Sequence, residues 1–107
     1  MPLPHRTTTA LAAWALLLPL GASAQTPEAL YLASVAATCA NCHGTQGRPV
    51  PGSALPPLAG MPQEQMLTQM RAFRDGSRPA TVMHQLAKGF SDSQLQQLAG
   101  WFAAQPR

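Results

Sequence analysis

The sequence Cys39-Ala40-Asn41-Cys42-His43 contains both cysteines of this chain and one of its three histidines. Two thiols separated by two residues can add to the two vinyl groups on one edge of a porphyrin. The histidine follows at once, so its imidazole can reach the iron from one face of the ring. The pattern C-x-x-C-H is typical of covalent haem attachment. It predicts one haem c bound through Cys39 and Cys42, with His43 as an iron ligand.

Three other interpretations of the two cysteines are less favoured. A redox pair of the thioredoxin type needs a preceding strand in a βαβ unit, and the sequence predicts neither. A zinc site could use Cys39, Cys42, His43 and His84, but it would leave the proline-rich segment and the methionines unexplained. A disulfide across only two intervening residues is strained.

The second axial ligand is less certain from the sequence. Four methionines follow the motif: Met61, Met66, Met70 and Met83. Met66 and Met70 fall on the apolar face of a predicted helix, where core packing explains them. Met83 lies 40 residues beyond His43 (83 − 43), which lets the chain pass round the ring edge to the opposite face. Met83 is therefore the favoured ligand, with Met61 and His84 as alternatives; His84 is more simply interpreted as an exposed surface histidine.

The first 24 residues have the features of an export signal. Residues 10–20 are almost wholly apolar, and Ala22-Ser23-Ala24 is a small-x-small cleavage pattern. The apolar run is shorter than the roughly 20 residues that a membrane span requires. The sequence thus predicts a signal peptide over residues 1–24, a mature domain over residues 25–107 without a membrane span, and a periplasmic location. An uncleaved membrane anchor is the alternative.

The mature chain would have 83 residues (107 − 24) and few charges. Its six basic and four acidic side chains give 6 − 4 = +2, and no run of basic residues indicates nucleic-acid binding. No acid–base or nucleophile constellation is visible, so we do not expect an enzyme acting alone. A chain this small needs a cofactor, a metal or disulfides for stability, and haem would consume both cysteines.

No segment alternates with period two, so we expect an all-α fold of about four short helices around the haem. The helices are predicted over residues 28–40, 62–74, 78–89 and 91–104. Thr26 is a plausible N-cap of the first helix, and Ser91 with Gln94 forms a capping box for the last. Between them, residues 44–60 are rich in glycine and proline and predict a long loop, typical of a functional segment.

Two helices have a clear apolar face. In the middle helix it consists of Met66, Leu67, Met70 and Phe73. In the last helix it consists of Leu95, Leu98, Ala99 and Phe102. Both sets recur at helical spacing and are the candidate core.

Together these residues resemble the small bacterial class I monohaem cytochromes c. The attachment motif with Gly44, the segment 55–60 (Leu-Pro-Pro-Leu-Ala-Gly) and the last helix carry the resemblance. Within that family, residues 78–91 are especially similar to the cytochrome subunit of flavocytochrome c sulfide dehydrogenase. The resemblance implies that Met83 is the sixth iron ligand and that the carbonyl of Pro56 accepts the imidazole N–H of His43. It also implies that the first and last helices cross.

We therefore expect a periplasmic single-electron carrier with His/Met-ligated haem. Its partners would be redox proteins, such as a flavoprotein dehydrogenase subunit, an oxidase or another cytochrome, docking on a mostly apolar surface near residues 54–58. One alternative is a cytochrome subunit that accepts electrons from a sulfide-oxidising flavoprotein. An alternative of another class is a five-coordinate haem protein that binds a gas.

Overall fold

The computed structural model describes residue 1 and residues 23–107. The predicted signal peptide, residues 1–24, therefore lies almost wholly outside the described residues. Within residues 23–107 the chain contains helices and no strand, which confirms the all-α prediction. The elements are α1 (Pro27–Ala37), α2 (Ala40–His43), a 3-10 turn (Thr45–Gly47), α3 (Gln63–Asp75), α4 (Met83–Lys88) and α5 (Asp92–Ala103).

The first predicted helix, residues 28–40, is divided in two in the structure. α1 begins as expected, with Thr26 as its N-cap. At its end the backbone N–H and the hydroxyl of Thr38 both donate to the carbonyl of Val35, at 3.2 and 2.7 Å. These bonds tighten the last turn and compete with the regular helical pattern. The predicted end of the helix was therefore wrong by three residues, and α2 begins separately at Ala40.

The third predicted helix, residues 78–89, is also shorter than expected. Pro79 has no N–H, and it disfavours helical geometry in the residue before it. The chain stays non-helical as far as Val82, whose φ is −133°, and α4 begins at Met83. The predicted start was therefore wrong by five residues, and the difference places Met83 at the first position of a helix.

The other two helices agree with the prediction to within about one residue. Ser91 and Gln94 form the expected capping box: the Ser91 hydroxyl accepts the Gln94 N–H at 3.2 Å, and the Gln94 side chain accepts the Ser91 N–H at 2.9 Å. Gly76 follows α3 with a φ of +84°, the left-handed conformation that favours glycine after a helix. No helix in the described part of the chain is long and apolar enough to cross a membrane.

The core lies between α5 and the two helices that pack against it, α1 and α3. Its buried side chains are Ala36, Met66, Leu67, Leu95, Leu98, Ala99 and Phe102. The whole predicted face of α5 is therefore buried, together with the first half of the predicted face of α3. Leu32 packs at the edge of the same cluster, as expected for a first helix that meets the last.

The long loop between α2 and α3 is closed by backbone hydrogen bonds. The carbonyl of Gly47 accepts the N–H groups of Leu58 and Ala59, at 2.8 and 3.1 Å. The N–H of Gly60 donates to the carbonyl of Phe102 at 2.9 Å, which joins the end of the loop to the end of α5. The loop is thus held in one shape although it contains almost no regular structure.

Candidate haem site

The turn before α2 and α2 itself present the two cysteines. Cys39 precedes the helix, and its carbonyl accepts the N–H of His43 at 2.9 Å, so Cys39, Cys42 and His43 belong to one short helical turn. Both thiols are free in this structure. Cys42 is exposed, whereas Cys39 is partly buried and packs against the core. Burial raises the pKa of the Cys39 thiol, so the neutral thiol is the form that this environment favours.

His43 is the one buried polar side chain in the described residues, with 8% of its surface exposed. Its Nδ1 lies 2.8 Å from the carbonyl oxygen of Pro56. A carbonyl can only accept a hydrogen bond, so Nδ1 must carry the proton and donate it. The lone pair of neutral His43 is then on Nε2, which is the tautomer that a metal-ligating histidine requires.

The carbonyl of Pro56 is held by the closed loop. Pro56 lies two residues before Leu58, whose N–H is bonded to Gly47. At the other end of the loop, Gly44 has a φ of +80°, and a Cβ atom there would lie 1.9 Å from the carbonyl oxygen of Arg48. Position 44 therefore needs glycine, because a side chain there would collide with the loop and prevent this close packing.

Met83 is on a different part of the fold. It is the partly buried first residue of α4, which packs against α3. α2, by contrast, packs against α1 and the 3-10 turn, and it makes no extensive contact with α4 among the described residues. The helix that carries His43 and the helix that carries Met83 are therefore not packed against each other.

Several apolar side chains beside these residues in the chain are exposed. Leu55, next to Pro56, exposes 42% of its surface, and Val82 and Leu86, on either side of Met83, expose 54% and 52%. An apolar group bound between the two segments would cover such surface, which is otherwise costly to leave in water. The free thiols, the His43 tautomer and this uncovered apolar surface all fit an attached haem.

The alternative ligands have other surroundings. Met61 packs against the core cluster, in agreement with a space-filling role. His84 is partly buried, not exposed as we expected, and its Nδ1 is buried without a hydrogen-bond partner. The sequence pattern of α4 carried no signal for this burial. Within the described residues, no three His, Cys, Asp or Glu side chains are placed to hold a metal ion, so the zinc interpretation gains no support.

The fold and the site define a helical protein built to hold a covalently attached haem. The cytochrome c family model matches residues 32–103, about two thirds of the chain, and the chain belongs to the cytochrome c family. The family's cofactor is haem c, and Cys39, Cys42 and His43 match its attachment motif.

Several curated relatives are similar to this chain. It is 40% identical over 68 residues to the thiosulfate dehydrogenase electron acceptor of Thiomonas intermedia (64% of this chain, 31% of that protein). It is 37% identical over 65 residues to the cytochrome subunit of sulfide dehydrogenase of Chlorobaculum tepidum (61% and 57%). It is 32% identical over 71 residues to cytochrome c-554(548) of Halomonas halodenitrificans (64% and 84%). The chain spans between about a third and three fifths of the length of the first three relatives.

Proposed function

We propose that this protein is a single-electron carrier whose one haem c is attached to Cys39 and Cys42 and ligated by His43 and Met83. The observation that supports this most is the buried imidazole of His43, whose Nδ1 is 2.8 Å from the Pro56 carbonyl, beside two free thiols on one turn. When bound, the haem supplies an iron that accepts and releases one electron. The chain's own part is to keep both ligands in place and to limit access of water.

The hydrogen bond from His43 to Pro56 has two effects under this proposal. It holds the imidazole in one orientation, and it makes the ring a stronger electron donor. Met83, if it held the iron together with His43, would favour the reduced state relative to a second histidine. The partly buried position of Met83 at the start of α4 is consistent with that role.

The first experiment is the visible spectrum of the purified holoprotein and of two methionine variants. We expect a low-spin c-type spectrum with the weak far-red band of methionine ligation, and loss of that band in Met83→Leu. Met61→Leu, which makes a similar change at a core-packed methionine, should keep the band. A Met83→Leu protein with an unchanged spectrum would exclude Met83 as the ligand. A high-spin wild type that binds carbon monoxide would indicate the gas-binding alternative.

We also propose that the protein is exported and cleaved after Ala24, leaving residues 25–107 in the periplasm. The small-x-small pattern Ala22-Ser23-Ala24 supports this site. Mass spectrometry of the intact protein from a periplasmic extract tests it. A mass that includes residues 1–24 would support the uncleaved anchor instead.

A second candidate function is that of an electron-accepting subunit of a sulfur-oxidising enzyme. It is favoured by two relatives, one named as an electron acceptor of thiosulfate dehydrogenase and one as a subunit of sulfide dehydrogenase. Copurification of this chain from its native source with a flavoprotein would favour the subunit. Recovery of the chain as a monomer that is reduced by several unrelated donors would favour the free carrier.

A further inference from the structure

A cleft lies between the loop, the start of α3 and Arg107. Its volume is about 570 Å³. The lining residues are Arg48, Pro49, Pro57, Ala59, Met61, Pro62, Gln65 and Arg107. Two of them are arginines that are 59 positions apart in the sequence (107 − 48) and share one apolar cleft.

Neither arginine is neutralised by an acidic side chain. Arg48 donates to the carbonyl of Pro106 at 2.8 Å and to the side-chain oxygen of Gln46. Arg107 donates to the carbonyl of Gly60 from Nε and Nη2, at 3.3 and 3.0 Å. In the part of the chain that the structure describes, the only ion pair within 4.0 Å joins Arg74 to Asp92. Neither guanidinium group in the cleft is therefore paired with a carboxylate side chain.

The carbonyl bonds also hold the two charges in position. Each arginine uses only part of its set of N–H donors, so further donors remain for a ligand. The guanidinium group binds oxyanions with paired, charge-assisted hydrogen bonds, and less entropy is lost when it is already held. Proline and alanine side chains line the cleft beside the two arginines, both of which are exposed to solvent.

We propose that this cleft binds a small dissolved oxyanion of the sulfate type through Arg48 and Arg107, and that its occupancy lowers the reduction potential of the haem. The link to the haem is Pro57, which lines the cleft and follows Pro56, the residue bonded to His43. A bound anion stabilises the more positive, oxidised iron. Binding itself is independent of the electron-carrier function, whereas the effect on the potential rests on it.

The test is a titration of the oxidised holoprotein with sodium sulfate, with sodium chloride adjusted to hold the ionic strength constant. Nuclear magnetic resonance follows the side-chain Nε–H signals of both arginines, and the reduction potential is measured in the same buffers. We expect saturable shifts with a dissociation constant on the order of 10 mM, and a potential that falls with the same midpoint. No saturation below about 100 mM, where general screening dominates, would overturn the site.

Three variants with the same change in charge distinguish sulfate binding in the cleft from a nonspecific effect of the protein's overall charge. Arg107→Gln and Arg48→Gln should each weaken sulfate binding about tenfold, since each removes a charge-assisted pair. Arg71→Gln, at an exposed arginine of α3 that does not line the cleft, should leave binding unchanged. Equal weakening in all three would refute the proposal. If Arg48→Gln fails to fold, Arg107→Gln and the wild-type titration still decide.

If the arginine signals saturate while the reduction potential stays constant, sulfate binding in the cleft is supported and its effect on the haem is refuted. A haem-loaded protein that is high-spin and binds carbon monoxide would instead refute the electron-carrier proposal, and its arginine signals would still report on sulfate binding.

Discussion

Gly44 and Gly52 both have a positive φ, +80° and +83°, in very different surroundings. A Cβ atom at position 44 would collide with the backbone of Arg48 and Pro49, whereas position 52 has no atom within 4 Å. A positive φ alone costs a residue with a side chain about 1–3 kcal/mol. The backbone collision at Gly44 must add to that cost.

We therefore predict that Gly52→Ala destabilises the holoprotein by about 1 kcal/mol and Gly44→Ala by well over about 3 kcal/mol. Denaturant unfolding followed by circular dichroism measures both changes. Because the two substitutions are chemically identical, the difference between them comes from the local structure at Gly44, namely its ψ of 164° and the backbone collision. Equal destabilisation would show that the loop can move away from position 44.

Single residues were predicted unevenly from the sequence. The five motif residues were readable because their spacing is set by the chemistry of attachment, which is local. The proximity of Pro56 to His43 came from the family resemblance, and the structure shows the contact at 2.8 Å. The burial of His84 Nδ1 was missed, because it depends on how α4 packs against α3.

Among the elements, α5 begins with a reciprocal capping box. Ser91 accepts the N–H of Gln94, and Gln94 returns a bond to Ser91. Loss of an N-cap hydroxyl typically costs about 1 kcal/mol. Ser91→Ala should therefore destabilise the holoprotein by about 1 kcal/mol in denaturant unfolding. Ser93→Ala, two residues on and exposed, should change stability by less than about 0.5 kcal/mol. Equal effects would mean that the cap contributes nothing specific.

The contact between Arg74 of α3 and Asp92 of α5 makes stability depend on pH. Arg74 Nη2 donates to Asp92 at 2.6 Å, and this bond and the arginine charge lower the pKa of the Asp92 carboxyl. A carboxyl whose pKa is lower in the folded state stabilises the fold above its ordinary pKa. That contribution is lost as the pH falls through the lowered folded-state pKa.

We predict that Asp92→Asn removes part of the acid-induced loss of stability and that Arg74→Gln removes the same part. The double variant should behave like either single variant, because the two residues act as one pair. Thermal unfolding at pH 7 and at several values below pH 4 measures the effect. The carboxylate is exposed, so the difference should be small and should shrink with added salt. Independent, additive effects would contradict the pairing.

The boundaries of the elements show where local signals compete. α3 and α5 were predicted within about one residue, because glycine, capping side chains and apolar spacing agree there. The division between α1 and α2 was missed, since the alanine-rich sequence favours a continuous helix and only the geometry at Thr38 interrupts it. The late start of α4 was missed because Pro79 was interpreted as a first helical residue.

At the scale of the whole molecule, the apolar core is small. Nine hydrophobic residues are buried in the described chain, and only Phe102 and Leu95 are large and almost fully enclosed. A domain of this size without disulfides is marginal unless a bound group adds to its core. The exposed apolar side chains beside Pro56 and Met83 point to the same conclusion.

We therefore predict that the double variant Cys39→Ala, Cys42→Ala, which cannot attach haem, loses most of its helix. Far-ultraviolet circular dichroism and a thermal scan should show weak helix and no cooperative transition, whereas the holoprotein should unfold cooperatively. Alanine favours a helix, so the change removes the two sulfur atoms, of which that of Cys39 also packs against the core. A helical apoprotein with a sharp transition would show that the protein core is sufficient alone.

By itself, the sequence determined the class of the fold, the attachment motif, the faces of α3 and α5 and the capping of α5. All of these depend on residues a few positions apart, which interact whatever the rest of the chain does. Only the tertiary structure decided the meeting of Pro56 with His43, the separation of α2 from α4, and the pairing of Arg48 and Arg107 in one cleft. The two pairings join residues that are 13 and 59 positions apart in the sequence (56 − 43 and 107 − 48). No local sequence pattern specifies how residues so far apart come together.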